Sequence, residues 1–266
     1  MYHFRFPAFA AVAAFGFASV AFAADLPVKA PVYKAPATFN WTGCFIGGNV
    51  GGIWARDNWT LAPGDPVATA GGPFVAGSEF ASHDANSWLG GVQAGCDYQF
   101  TGGFVIGIQG DYDWTDAKAT SPDAANDSFF GNTGFTNQTR IKSLGSVTGR
   151  LGYAWDRFLG YVRGGWASER NEYTSFDSTG VTWATASEAR SGWTIGVGGE
   201  YAFTNWLSGF AEYDYYDFGT RTNTLVAVVQ VPQRTSAGGI YDIADIRAHN
   251  NVFKVGLNVR FGPGAR

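Results

Sequence analysis

The chain has 266 residues, a formal net charge of −4 and only 15% charged residues, which excludes a basic nucleic-acid-binding surface. Aromatic residues make up 17% of it, and glycine occupies 37 positions. Such an aromatic excess without long aliphatic runs suits the interfacial girdles of a membrane barrel better than the core of a soluble domain.

Residues 1–23 begin weakly basic at Arg5, continue as an apolar run and end in Ala21-Phe22-Ala23. These are the parts of a secretory signal peptide cleaved after Ala23. A single membrane anchor is the rival reading, against which the run is short and alanine-rich. Residues 24–40 alternate proline, alanine and lysine, which disfavours helix and ladder alike and predicts an extended periplasmic leader. Past Ala23 no apolar stretch reaches helix-spanning length, so a closed strand barrel is the remaining way to cross a bilayer.

From residue 41 to 266 the pattern has a period of two, the mark of strands with one apolar and one polar face. Eight strands are expected, near 41–54, 88–100, 104–114, 141–155, 158–167, 193–203, 207–215 and 251–261. The second is the clearest: Trp88, Gly90, Val92, Ala94, Cys96, Tyr98 and Phe100 alternate with small or polar residues. On the fourth, Ile141, Val147 and Leu151 are assigned outward and Lys142, Ser146, Thr148 and Arg150 inward. Connections alternate between tight turns, at 101–103, 156–157 and 204–205, and long polar segments, at 55–86, 115–140, 168–190 and 216–250. Short turns on one side and long loops on the other predict an all-β, eight-stranded antiparallel up-and-down transmembrane barrel with four long extracellular loops. A soluble lipocalin-type barrel has the same strand count but an apolar interior and a charged exterior, the reverse of the polarity here.

The inward phase collects Asp97, Asp111, Arg150, Arg163, Glu200, Glu212, Lys254 and Arg260. An eight-stranded barrel is about wide enough for side chains to fill, and unpaired charges there would cost several kcal/mol. These residues therefore predict a salt-bridged plug, with a gated conducting lumen as the alternative. Trp88, Tyr98, Phe100, Trp114, Trp155, Trp193 and Phe261 are assigned to the two membrane interfaces. Cys44 and Cys96 both point outward near the periplasmic ends of adjacent strands. A cross-strand disulfide and two free lipid-facing thiols are both compatible with that placement. His83 and His249, the histidines left after processing, are assigned to solvated loops. No spacing marks a nucleophile–base pair or a metal-ligand cluster, and no cofactor is expected. Trp59, Phe74, Phe80, Phe129, Phe130, Phe135, Phe176, Trp183 and Tyr241 remain as loop aromatics, either a recognition surface or packing above the barrel.

FNWTGCFIGGNVGG at 39–52 resembles the first strand of the small outer-membrane barrels of alphaproteobacteria, the porin family related to the OmpA transmembrane domain. SWLGGVQAGCDYQF, RLGYAWDRFLGYVRGGWA and FAEYDYYDFG resemble its later strands, and NNVFKVGLNVRF its closing one. The resemblance implies a multi-pass protein of the Gram-negative outer membrane, monomeric or weakly oligomeric, with an envelope or surface role. It implies contact with outer-membrane lipid, with the barrel assembly machinery during biogenesis, and with a surface ligand through the loops. Some relatives bind haemin or act as porins, but no ligand residues carry over. Small-solute transport, haemin binding and a lipid-modifying barrel enzyme are the alternatives to a structural role. Residues 262–266 run past the aromatic residue at which such chains usually end.

Overall fold

The computed structural model of the chain describes residues 39–70, 73–130, 134–230 and 236–263. The signal peptide and the leader as far as residue 38 lie outside them. Eight antiparallel strands close into one ring in sequence order: β1 (Gly43–Leu61), β2 (Glu79–Gln99), β3 (Phe104–Pro122), β4 (Thr136–Trp155), β5 (Phe158–Phe176), β6 (Thr182–Ala202), β7 (Leu207–Ala227) and β8 (Ile240–Phe261). β8 pairs with β1, Cys44 lying opposite Phe261, so no sheet edge is left inside the bilayer. Two short helices, α1 (Pro66–Thr69) and α2 (Ala124–Phe130), sit in the first two external connections.

The strands are 19–22 residues long, whereas a tilted crossing needs about 9–11. About half of each strand therefore stands outside the membrane. In the membrane half, outward positions are apolar and exposed: Ile46, Val50, Val92, Ile108, Leu151, Val197, Val255 and Leu257. Two aromatic girdles bound this belt. The lower one contains Tyr98 and Phe100, whose rings meet edge-on at 4.9 Å, with Tyr153, Trp155, Tyr201 and Phe261. The upper one contains Trp54, Trp88, Trp114, Trp166 and Trp193, with Trp88 the most exposed at 82%.

Above the upper girdle the polarity reverses. Arg56 and Asp84 point outward and pair at 2.7 Å, while Ile53, Ala55, Trp59 and Leu61 of the same strand are buried inward. A large part of each segment expected as a long loop is thus strand. Their true connections are 62–78, 123–135, 177–181 and 228–239. The period of two continues through them, but its apolar phase moves to the inside because the surroundings change from lipid to water. Two ladders also lapse here. β2 and β3 pair only between Leu89–Thr115 and Gln99–Val105, and β6 and β7 part between Thr185 and Trp193. The lapses lie on opposite sides of the ring. They divide the outer half into β3–β6 and β7-β8-β1-β2, which share one core of Trp59, Phe80, Tyr173, Leu225, Tyr241 and Ile246. Trp59, Phe80 and Tyr241 are therefore core residues and not loop aromatics.

One assignment is inverted within the fourth strand. A bulge between Ile141 and Ser143 makes Lys142 the extra residue. Ile141 turns into the core at 1% exposure, while Arg140 and Lys142 turn outward to Glu172.

Candidate functional site

The barrel interior is the candidate site, and it is stratified from the periplasmic mouth upward. Phe39 and Trp41 close the mouth, packed with Val105, Leu159 and Tyr161. The Phe39 amide donates to Asp156 Oδ1 at 2.9 Å, and the Trp41 indole donates to the Asp156 carbonyl at 3.0 Å. The end of the expected leader is therefore part of the barrel. The Phe39 ring meets Trp41 edge-on at 5.0 Å and packs on the apolar surface inside the mouth.

Directly above, Arg150 and Arg260 face Asp97 and Glu200. Arg150 lies 3.0 Å from Glu200 and 3.7 Å from Asp97, and Arg260 lies 3.0 Å from each. Ser208 and Asn258 donate to Glu200, and Gln93 donates to Asn258 at 2.7 Å. Arg260 also donates to the Trp41 carbonyl, tying this layer to the mouth.

A second cluster follows. Arg163 reaches Asp111 and Glu212 at 2.6 Å each and Asp214 at 3.5 Å. Lys254 lies 3.3–3.6 Å from Asp113, Glu212, Asp214 and Asp111. Tyr161 joins the clusters: its hydroxyl donates to Glu212 at 2.9 Å and its ring lies 4.0 Å beneath the Arg150 guanidinium. All eight inward charges named from the sequence fall in these two layers and are buried. Asp113 and Asp214 complete the second layer. They sit two residues beyond Asp111 and Glu212 on the same phase, a signal present in the sequence.

Glycine makes the room. Gly91, Gly107 and Gly196 lie opposite Asp113, Asp97 and Asp214, and a β-carbon at any of them would run into that carboxylate. Ion pairs buried this way contribute little net stability, but removing one partner leaves an uncompensated charge.

Over these clusters lies an apolar layer that includes Ile53, Leu89, Ile141, Leu144, Tyr216 and Phe218. An outer polar layer then holds Asp57, His83, Glu169, Asn171, Tyr173 and Arg190, all buried. Arg190 donates to the Tyr173 hydroxyl at 2.6 Å, and Asn171 and Asn250 donate to Glu169. Burial first, and the Glu169 carboxylate second, push the Asp57 carboxyl up to about 7.

His83 is not a solvated loop residue; it bridges the lapse between β2 and β3. Its Nε2 lies 2.8 Å from the Asn137 carbonyl and 3.2 Å from Ser121 Oγ. Asp57 is its cross-strand neighbour. Ser, His and Asp are the residue types of a nucleophilic triad, but the geometry denies the roles. A carbonyl can only accept, so Nε2 carries the proton and cannot take one from Ser121. His83 Nδ1 and Asp57 Oδ1 have no hydrogen-bond partner among the described residues. Burial drives the imidazole pKa down and favours the neutral ring. Among the described residues no group of His, Cys, Asp and Glu is placed to hold a metal ion.

On the outer wall, Cys44 and Cys96 are opposed in the β1–β2 ladder and joined by a disulfide, with Cα atoms 3.9 Å apart. The seven interface aromatics named from the sequence are all exposed on the outward face. Phe135 and Trp183 meet edge-on at 4.7 Å at the outer end of the barrel, where Trp183 lies on β6 and packs against the outer core.

Residues 9–261 match the family model described as the outer membrane protein beta-barrel domain. The chain is 30% identical over 251 residues to the 31 kDa outer-membrane immunogenic protein of Brucella melitensis, covering 92% of this chain and 95% of that one. It is 26% identical over 254 residues to the 25 kDa outer-membrane immunogenic protein of the same organism, covering 92% of each. Among solved structures, the outer membrane protease OmpT from Escherichia coli is similar in fold, with a TM-score of 0.50 and 10% identity over 85% of this chain and 99% of that one.

Proposed function

Because the chain belongs to the outer membrane protein beta-barrel family and resides in the outer membrane, we propose that it is a sealed barrel that reinforces the envelope and presents its outer half to the exterior. The observation that carries this reading is Arg163, fully buried at mid-lumen and held between Asp111 and Glu212 at 2.6 Å each. A guanidinium clamped from two walls occupies the space a solute would need. The Phe39–Trp41 seal below and the apolar layer around Ile53 and Leu144 above argue the same way. The names of the Brucella relatives, outer-membrane immunogenic proteins, support surface presentation. The tautomer imposed on His83 argues against hydrolysis at Ser121.

The discriminating measurement is single-channel conductance of the purified, refolded chain in planar bilayers. A sealed barrel gives no stable unitary steps. Reproducible steps of one size would replace this reading with a small-solute porin.

A further inference from the structure

The outward wall of β3–β5 changes character just above the upper girdle. Lys118, Arg140, Lys142 and Arg170 all face out there. The bulge at Lys142 is what turns β4 this way, since an unbroken alternation would bury both Arg140 and Lys142. Two carboxylates offset part of the charge. Asp116 bonds Arg140 and lies 3.1 Å from Lys118, while Glu172 lies 3.5 Å from Arg140 and 3.4 Å from Lys142. Four cations against two carboxylates leave a positive excess. Among the described residues no hydrogen bond or ion pair engages the Arg170 guanidinium.

Arg170 overhangs a cleft of about 290 Å³, lined by Tyr112, Gly145, Val147, Trp166 and Ser168. Gly145 pairs with Tyr112 across β3–β4, and the Tyr112 ring leans over it, 3.3 Å from where a β-carbon would sit, forming one wall of the cleft. The lower end of the cleft lies in the lipid-facing belt and its upper end at Arg170, which pairs across β4–β5 with Ser143, the neighbour of Lys142. From Trp166 to Arg170 is about 13 Å of strand, less in height because of tilt, and long cationic side chains reach back toward the headgroups. An apolar slot under an unpaired guanidinium matches an amphiphile with an acyl chain and an anionic head. Arg favours phosphate because its planar fork binds two oxygens at once.

We propose that this cleft binds a phosphorylated glycolipid of the outer leaflet. An acyl chain lies along Val147 between Tyr112 and Trp166. Its headgroup phosphate is held by Arg170 and Lys142, with Arg140 and Lys118 behind them. The apolar half of the cleft selects a lipid over a free anion.

The test uses the folded full barrel in phosphatidylcholine nanodiscs doped with bisphosphorylated lipid A, or with the same lipid after phosphatase treatment, and native mass spectrometry to count retained lipid. One bisphosphorylated molecule is expected to stay bound, and the dephosphorylated form to be lost. Lys142→Glu with Arg170→Glu should weaken retention by more than about thirtyfold, because each cation beside an anionic headgroup contributes about fivefold and each new carboxylate adds repulsion. Ser168→Trp, which fills the slot without changing charge, should also weaken it. Arg221→Glu, an exposed arginine on β7, should leave it unchanged. If the double variant does not show the heat-shifted gel mobility of a folded barrel, Lys142→Gln with Arg170→Gln takes its place. Equal retention of the two lipid A forms would overturn the proposal. So would unchanged retention by the charge variants, or displacement of the lipid by inorganic phosphate.

Discussion

The amide of Phe39 donates to the carboxylate of Asp156, joining the described start of the chain to a tight turn 117 residues away. Asp156 holds that turn with φ 53°, a left-handed conformation that costs most residues about 1–2 kcal/mol. Glycine adopts it freely. Asp156→Gly should therefore cost only the charge-assisted hydrogen bond, about 1.5–3 kcal/mol in urea unfolding from micelles. Asp156→Ala should cost about 1 kcal/mol more. Equal, negligible losses would mean that the mouth seal is not anchored at Asp156.

Arg163 neutralises a cluster in which four carboxylates share two cations. Arg163→Ala should destabilise the barrel by about 3–5 kcal/mol, because it strands buried carboxylates. Adding Asp111→Asn and Glu212→Gln should recover part of that loss. A wild-type unfolding midpoint for Arg163→Ala would rule out the paired lumen.

Val255 faces lipid at mid-belt, whereas Asn258 is buried between Gln93 and Glu200. Val255→Arg should cost about 2–4 kcal/mol, with a smaller penalty in thinner bilayers, where the guanidinium reaches the headgroups. The lumen has no room for a larger group at Asn258, since even a β-carbon on Gly47 would meet its side chain. Asn258→Arg should therefore be costly too, and indifferent to lipid chain length. A shared thickness dependence would show the faces to be misassigned.

The Cys44–Cys96 bridge closes a 52-residue span across β1 and β2. Intact-mass measurement of non-reduced protein should find no alkylatable thiol. Reduction should lower stability by about 2–4 kcal/mol. Two alkylated cysteines without reductant would exclude the bridge.

Asp57 titrates near pH 7 when folded and near 3.9 when unfolded. Between these values the native state keeps a proton that the unfolded chain has lost, so raising the pH favours unfolding. The contribution is whole below about pH 4 and gone above about pH 7. Asp57→Asn should therefore gain on wild type across that window, by on the order of 2–4 kcal/mol. The buried neutral His83 acts with opposite sign below about pH 6.5, but equally in both proteins. Parallel stability curves from pH 4 to 8 would place Asp57 in contact with solvent.

The membrane half was legible because contact with lipid acts on each outward residue separately. Trp88 to Phe100 therefore carry the alternation whatever the rest of the chain does. The outer half was not, because its strands obey the opposite polarity. Arg56, Asn58 and Thr60 read as loop to an eye trained on lipid-facing strands, yet they are the wet face of β1. Lys142 hid the bulge, since one inserted residue exchanges the faces of everything above it without altering composition. His83 and Phe39 gave no local sign of burial; partners 54 and 117 residues away determine it.

By itself, then, the sequence determined the strand count, the lipid-facing phase below the upper girdle, both girdles and eight of the inward charges of the membrane half. Each of these follows from the medium a side chain meets on its own. Only the closed barrel decided which carboxylate faces which guanidinium, that Cys44 meets Cys96, and that Arg140 and Lys142 turn outward beside Arg170. Those relations depend on register and on ring closure, which bring together residues remote in the chain.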